Sequence, residues 1–229
     1  MANFMKQKVV EEIVRVGLVP VFYNSDAATS RKIVQACVAG GATVVEFTNR
    51  GEAAPAIFDE LITWSHRELP DVIIGIGTIL DAPTAAQYID RGANFVVGPI
   101  YHPDVAALCD RKKVAYIPGC MTPSEIISAE RTGAEIIKVF PGSTVGPEFI
   151  KALRGPCPWL KLMPSGGVEV SQHNISSWMD AGAAALNIGS NLIRKDLVKT
   201  GDFTSIQHMV ADCIRWIKAA REEKAAARS

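Results

Sequence analysis

A chain of 229 residues, 48% of them apolar, is long enough to bury one large core, and its 24 basic and 24 acidic residues leave no formal net charge. The basic residues are dispersed, which excludes the basic stripe of a nucleic-acid binder. Cys37, Cys109, Cys120, Cys157 and Cys213 are odd in number and never form a Cys-x-x-Cys pair, which excludes a disulfide framework and a zinc knuckle and reads as reduced thiols in a cytoplasmic protein.

Charged and apolar residues alternate from Lys6 to Val16, a stretch too polar for a secretory or membrane segment. Residues 1–17 therefore read as an amphipathic capping helix. Short apolar runs then alternate with stretches of helical periodicity. The runs Leu18 to Tyr23, Thr43 to Thr48, Val72 to Gly75, Phe95 to Gly98, Ala115 to Pro118, Ile136 to Val139, Lys161 to Pro164 and Ala185 to Ile188 read as eight strands. Eight βα units in a chain of this length predict an α/β fold, a TIM (β/α)8 barrel, as a single domain over residues 1–229. Residues 195–229 form a C-terminal helical extension. Within it Ile206, Val210, Cys213, Ile214 and Ile217 fall at helical spacing, which predicts a docked helix that frays after Arg221.

An internal echo aligns the strands. Gly41-Ala42, Gly92-Ala93, Gly133-Ala134 and Gly182-Ala183 introduce the second, fourth, sixth and eighth of them, each glycine standing where a helix stops in a left-handed turn. Alternate strands of a barrel contribute one layer of inward side chains. A common register places Glu46, Val97, Lys138 and Asn187 at equivalent heights, with Glu46 and Lys138 facing one another.

Lys138 lies in the run Ile136-Ile137-Lys138-Val139-Phe140-Pro141. A lysine on an exposed strand face is the commoner case, since lysine is rarely buried. A closed parallel barrel has no wet strand face, however, and an amine removed from water shifts toward its neutral, nucleophilic form, the form that makes a Schiff base with a carbonyl. Glu46 then supplies a base beside the amine. By itself it reads equally as half of a structural ion pair, but Thr48 and Arg50 follow it on the same strand face toward the end where barrels assemble active sites.

Pro164-Ser165-Gly166-Gly167 and Gly189-Ser190-Asn191 follow the last two strands and offer backbone N–H groups and hydroxyls where barrels hold phosphate. Glycines also serve tight turns, so the weight rests on the two loops together. Gly75-Ile76-Gly77-Thr78 lacks the spacing of a dinucleotide fingerprint, and Thr78 reads as a hydroxyl at the barrel rim. His66, His102, His173 and His208 form no metal-binding cluster, so no metal and no cofactor are expected. His102 and Cys120 follow strands but lack the partners of a catalytic pair; turn and packing roles fit them better.

Taken in order, Val45-Glu46-Phe47-Thr48-Asn49-Arg50, Gly75-Ile76-Gly77-Thr78, Gly98-Pro99, Ile137-Lys138-Val139-Phe140-Pro141, Pro164-Ser165-Gly166-Gly167 and Gly189-Ser190 resemble the 2-dehydro-3-deoxy-phosphogluconate (KDPG) / 4-hydroxy-2-oxoglutarate (KHG) aldolases. The resemblance runs from the first strand to the eighth. It implies a class I, metal-independent aldolase, usually a homotrimer, that cleaves 2-dehydro-3-deoxy-6-phosphogluconate to pyruvate and glyceraldehyde 3-phosphate. By position it implies Lys138 as the Schiff-base lysine and Glu46 as the proton carrier. It further implies that Arg50 and Thr78 hold the pyruvyl carboxylate, that Pro99 and Phe140 pack around the pyruvyl end, and that Ser165, Gly166, Gly167, Gly189 and Ser190 line the phosphate end.

The chain departs from the family pattern at Ser165, where threonine is common, at Ile188, in place of a glycine, at Asn191, in place of an aromatic residue, and at Asn49-Arg50-Gly51, in place of Leu-Arg-Thr. The first three fall in the expected distal part of the site. Alternatives are the same chemistry on the phosphogalactonate isomer or on 4-hydroxy-2-oxoglutarate, a sugar-phosphate isomerase or metal-assisted lyase with Lys138 purely electrostatic, and a ligand-binding barrel without turnover.

Overall fold

The computed structural model describes residues 2–226. Its helices are α1 (Lys6–Val16), α2 (Ala27–Ala39), α3 (Ala54–Glu68), α4 (Ala82–Asp90), α5 (Pro103–Lys112), α6 (Pro123–Arg131), α7 (Gly142–Arg154), α8 (Gln172–Ala181), α9 (Lys195–Thr200) and α10 (Phe203–Ala226). The strands are β1 (Leu18–Phe22), β2 (Val44–Thr48), β3 (Ile73–Gly77), β4 (Phe95–Val97), β5 (Ala115–Ile117), β6 (Gly119–Cys120), β7 (Ile137–Val139), β8 (Leu162–Pro164) and β9 (Leu186–Ile188).

All strand pairs are parallel, in two sheets of order β5-β4-β3-β2-β1-β9 and β6-β7-β8. This is an α/β fold with a curled parallel sheet. The expected eight strands recur with ends shifted by one residue, and two of them differ by more. The fifth is split into β5 and β6 at Pro118, because a proline has no N–H to give to a ladder. The third ends at Gly77 rather than Gly75. Between the two sheets Ala184 N donates to the Leu162 carbonyl at 2.8 Å, and Ser165 bridges to Asn187.

The four helix-ending glycines adopt the predicted left-handed backbone, with φ of 100° at Gly41, 106° at Gly92, 91° at Gly133 and 101° at Gly182. A side chain there would meet the steric penalty of that region. Each sets the next strand's register, so that one strand face points into the curl of the sheet.

The inward apolar residues Val19, Val44, Ile73, Phe95, Val97, Ala115, Ile117, Ile136, Met163 and Ala185 form one cluster, to which α1 adds Val9, Val10 and Ile13. The amphipathic helix therefore covers the inner layer, as its pattern predicts. Glu12 ties it down: its carboxylate accepts from Thr43 Oγ1 at 2.6 Å and from Arg15 through two guanidinium nitrogens at 2.9 and 2.6 Å.

Helix α10 packs on α8 and α2, with Ile206, Val210, Cys213 and Ile217 buried and Ile214 half-buried. It does not fray after Arg221. The Arg221 guanidinium donates to the carbonyls of Arg15, Val14 and Ala184, and Lys224 donates to that of Asp180 at 2.7 Å. Two cations on main-chain acceptors carry the helix to Ala226, and residues 227–229 lie outside the described ones. No described helix is long and apolar enough to cross a membrane.

Candidate active site

A cavity of about 840 Å³ opens over the C-terminal ends of the strands. Glu46, Arg50, Thr78, Pro99, Lys138, Phe140, Ser165, Gly166, Gly167, Gly189 and Ser190 all line it, so the structure gathers every residue the sequence singles out as a candidate.

At the floor, Glu46 is 1% exposed and Lys138 8%. Burial pushes the Glu46 carboxyl up from the usual carboxylate range, opposed by the charges of Lys138 and Arg50 and by a hydrogen bond from Asn187. Burial draws the Lys138 amine down, reinforced by Arg50 and opposed by Glu46. Both shifts favour the uncharged forms, a nucleophilic amine and a proton-bearing acid in one dry site. The Phe140 ring lies over the amine, with Lys138 Nζ 4.9 Å from its centroid.

Asn187 is the floor residue whose role sequence spacing leaves unassigned. The common register places it beside Glu46, but only the structure shows that its Nδ2 donates to Glu46 Oε2 at 2.9 Å and to the Val19 carbonyl at 3.2 Å, while its Oδ1 accepts from Ser165 Oγ at 2.6 Å. Val97, the fourth member of the layer, packs into the apolar cluster beneath.

Above the floor, Arg50 is exposed with its side chain at the cavity, and Thr78 and Pro99 form the adjoining wall. Thr78 has φ 63°. A β-branched residue in the left-handed region carries strain of about 1–3 kcal/mol, a cost often found at ligand-binding positions. At the far end Gly166 and Gly167, both at φ 80°, bring bare main chain to the cavity. With its proton on Asn187, Ser165 faces a ligand as an acceptor, which leaves anion binding here to backbone N–H groups.

The departures separate by position. The Ile188 side chain is buried in the outer apolar cluster, because alternation along β9 turns it away from Asn187, so it does not belong to the distal site. Asn191 lines the cavity and its Nδ2 donates to the Val168 carbonyl at 2.8 Å. Asn49 is turned back, accepting from Tyr88 OH at 2.7 Å. His102 caps α5, accepting from Asp104 N, and Cys120 is buried with its thiol pushed up to about 12. Among the described residues no group of three or more His, Cys, Asp or Glu is placed to hold a metal.

Lys195 and Lys199 also line the cavity. Nothing in their local spacing separates them from surface lysines; only the placement of α9 against the distal opening does.

Comparison with known proteins agrees with this geometry. The family model described as "Aldolase: KDPG and KHG aldolase" matches residues 9–209. The 2-dehydro-3-deoxy-phosphogluconate aldolase of Haemophilus influenzae is 30% identical over 217 residues, covering 94% of this chain and 100% of that protein. The 2-dehydro-3-deoxy-6-phosphogalactonate aldolase of Escherichia coli K12 is 32% identical over 151 residues, covering 66% of this chain and 69% of that protein. The fold is shared with a KDPG aldolase from Legionella pneumophila whose crystal structure holds pyruvate as a covalent carbinolamine intermediate, with a TM-score of 0.80 and 23% identity, covering 89% of this chain and 96% of that one. With the family model matching residues 9–209, most of its length, the chain belongs to the KDPG and KHG aldolase family.

Proposed function

We propose that this protein is a class I aldolase that cleaves 2-dehydro-3-deoxy-6-phosphogluconate to pyruvate and glyceraldehyde 3-phosphate through an imine on Lys138. The observation that carries the reading is the pairing of a buried amine with a buried carboxyl at the cavity floor, each shifted toward its neutral form.

The chemistry follows from that pairing. The neutral Lys138 amine adds to the C2 carbonyl, and the carbinolamine loses water to give an iminium, with Glu46 supplying and taking up the protons. Transfer of the C4 hydroxyl proton to the Glu46 carboxylate breaks the C3–C4 bond. The electron pair flows into the iminium, the aldehyde leaves, and an enamine remains. Glu46 returns a proton to C3, and water releases pyruvate and the free amine. Arg50 and the Thr78 hydroxyl grip the carboxylate of the pyruvyl end, which fixes C2 over Nζ. Pro99 and Phe140 keep water from the iminium, and Gly166, Gly167, Gly189 and Ser190 receive the phosphate, with Lys195 and Lys199 adding positive charge.

In this reading β5 and β6 are one strand bent at Pro118, and the Ser165 to Asn187 bridge completes an eight-stranded barrel forming a single domain. Subunits assemble as a homotrimer in the cytoplasm. Leu80, Ile100 and Met121, exposed on the successive loops after β3, β4 and β6, offer apolar surface for such packing.

Likeness to a phosphogalactonate aldolase supports a second substrate of the same chemistry, the C4 epimer. Steady-state turnover on both epimers and on unphosphorylated 4-hydroxy-2-oxoglutarate tests the reading. Pyruvate release from a phosphorylated substrate with kcat/KM well above that for the unphosphorylated one supports it; equal values contradict the phosphate end.

A further inference from the structure

Asn187 touches both ends of the machinery. It is 1% exposed, and it is bound to Glu46, to the β1 main chain and to Ser165 at once. Its orientation is fixed chemically. A flipped amide would set its oxygen against the Val19 carbonyl, an acceptor that carries no proton in any state, and its NH2 against Ser165. Nδ2 must therefore donate to Glu46 and Val19, and Oδ1 must accept from Ser165.

The other carboxylate oxygen is fixed by shape. Glu46 Oε1 rests over Gly77, at the place where a Cβ would stand. One oxygen is held by a donor and the other by packing, so the carboxyl has little freedom to rotate. The charged groups acting on it are Lys138 from β7 and Arg50 beyond the end of β2. The flanking strands β1 and β3 pair Val21 and Gly75 with it, which bring no charge.

We propose that Asn187 is a positioning residue for the proton-transfer step: its amide aims the Glu46 carboxylate at the methyl carbon of the bound pyruvyl group and couples that carboxylate to Ser165 in the phosphate loop. This rests on the aldolase reading given above. The donated hydrogen bond stabilises the ionised carboxylate, the form that takes a proton from C3 of the pyruvyl iminium. In that step the C3–H bond breaks, the proton goes to Glu46, and the electron pair neutralises the iminium as an enamine.

The test is exchange of the pyruvate methyl protons with deuterium, followed by NMR across pH in the wild type, Asn187→Leu and Asn187→Asp, with no aldehyde present. Asn187→Leu removes the donor while preserving bulk, and Asn187→Asp preserves shape while setting a second carboxyl against Glu46. Both should slow exchange at neutral pH about tenfold or more, the scale of one hydrogen bond to a charged group. Both should also move the acid limb of the profile to higher pH. Borohydride trapping of pyruvate on Lys138 should persist, showing a folded, imine-competent site. Wild-type rates, or slowed exchange with an unmoved acid limb, would overturn the proposal.

A second measurement needs no variant fold. In the wild type the side-chain amide resonances of Asn187 should shift along the Glu46 titration; resonances that stay still across it overturn the coupling. If the wild type neither exchanges nor traps pyruvate, the aldolase reading fails, and the amide titration still decides the coupling between Asn187 and Glu46.

Discussion

A Cβ at Gly77 would stand 1.8 Å from Glu46 Oε1, so the last residue of β3 can be only glycine while the carboxylate keeps its place. The glycine here serves the side chain of the neighbouring strand, with which β3 pairs in register from Val44 to Thr48. Gly77→Ala should leave the fold intact, as judged by circular dichroism, and displace Glu46. Because positioned acid–base catalysis is worth about 10²- to 10⁴-fold, kcat should fall by about 10²-fold or more. An active Gly77→Ala enzyme would mean that Glu46 works from another position.

Lys138 and Glu46 are held in a site that penalises their charged forms, and that penalty bears on stability. Replacing a buried ionisable pair by well-packed hydrophobic groups of like volume is often neutral or stabilising by about 1–4 kcal/mol, and Glu46→Gln is uncharged and keeps an acceptor for Asn187. The double variant Lys138→Met with Glu46→Gln should therefore be inactive and melt above the wild type. Lys138→Met alone leaves the carboxyl without its opposing charge and should gain less. Calorimetry on the three proteins checks the order.

The same site gives a sign for pH. Burial raises Glu46 above its unfolded value, so its contribution to stability is fully present below that value and is lost as pH rises through the folded one. Glu12 runs the other way. Its carboxyl is lowered to about 2 from 4.5, chiefly by the Arg15 hydrogen bond, so its contribution is present above 4.5 and is lost as pH falls toward 2. Glu12→Gln should thus cost about 1–3 kcal/mol at pH 7, the range for a hydrogen-bonded charged group, and almost nothing near pH 2. Urea titrations at both pH values measure the difference.

Thr78 sets stability against function. Thr78→Gly relieves a left-handed β-branched residue, a gain of about 1–3 kcal/mol, against about 0.5–1 kcal/mol for the added chain freedom of glycine. The variant should melt higher and bind the pyruvyl carboxylate more weakly, by about tenfold in KM for loss of one hydrogen bond to a charged group. A lower melting temperature would mean that the Thr78 hydroxyl contributes more to the fold than its backbone costs.

The extent to which the site was legible in sequence follows from what periodicity encodes. A glycine that stops a helix at a constant distance from the next strand fixes register, and register alone brought Glu46, Lys138 and Asn187 to one cavity floor. Bends within a strand leave a fainter trace: Pro118 looks like a strand end and is a break between β5 and β6. Alternation is legible at Ile188 too, and it turns outward a side chain whose place in the motif points to the site. The bonds of Arg221 and Lys224 to distant carbonyls, and the approach of Lys195 and Lys199 to the cavity, depend on how α9 and α10 fold back. No local spacing records that.

The measurement that bears most directly on the central claim is borohydride reduction with pyruvate, followed by peptide mass analysis, because it captures the imine without the correct aldehyde. The account predicts a reduced pyruvyl adduct on the peptide carrying Lys138 and none in Lys138→Arg, which keeps the charge but cannot form the imine. An unmodified Lys138 in folded wild-type protein would contradict it.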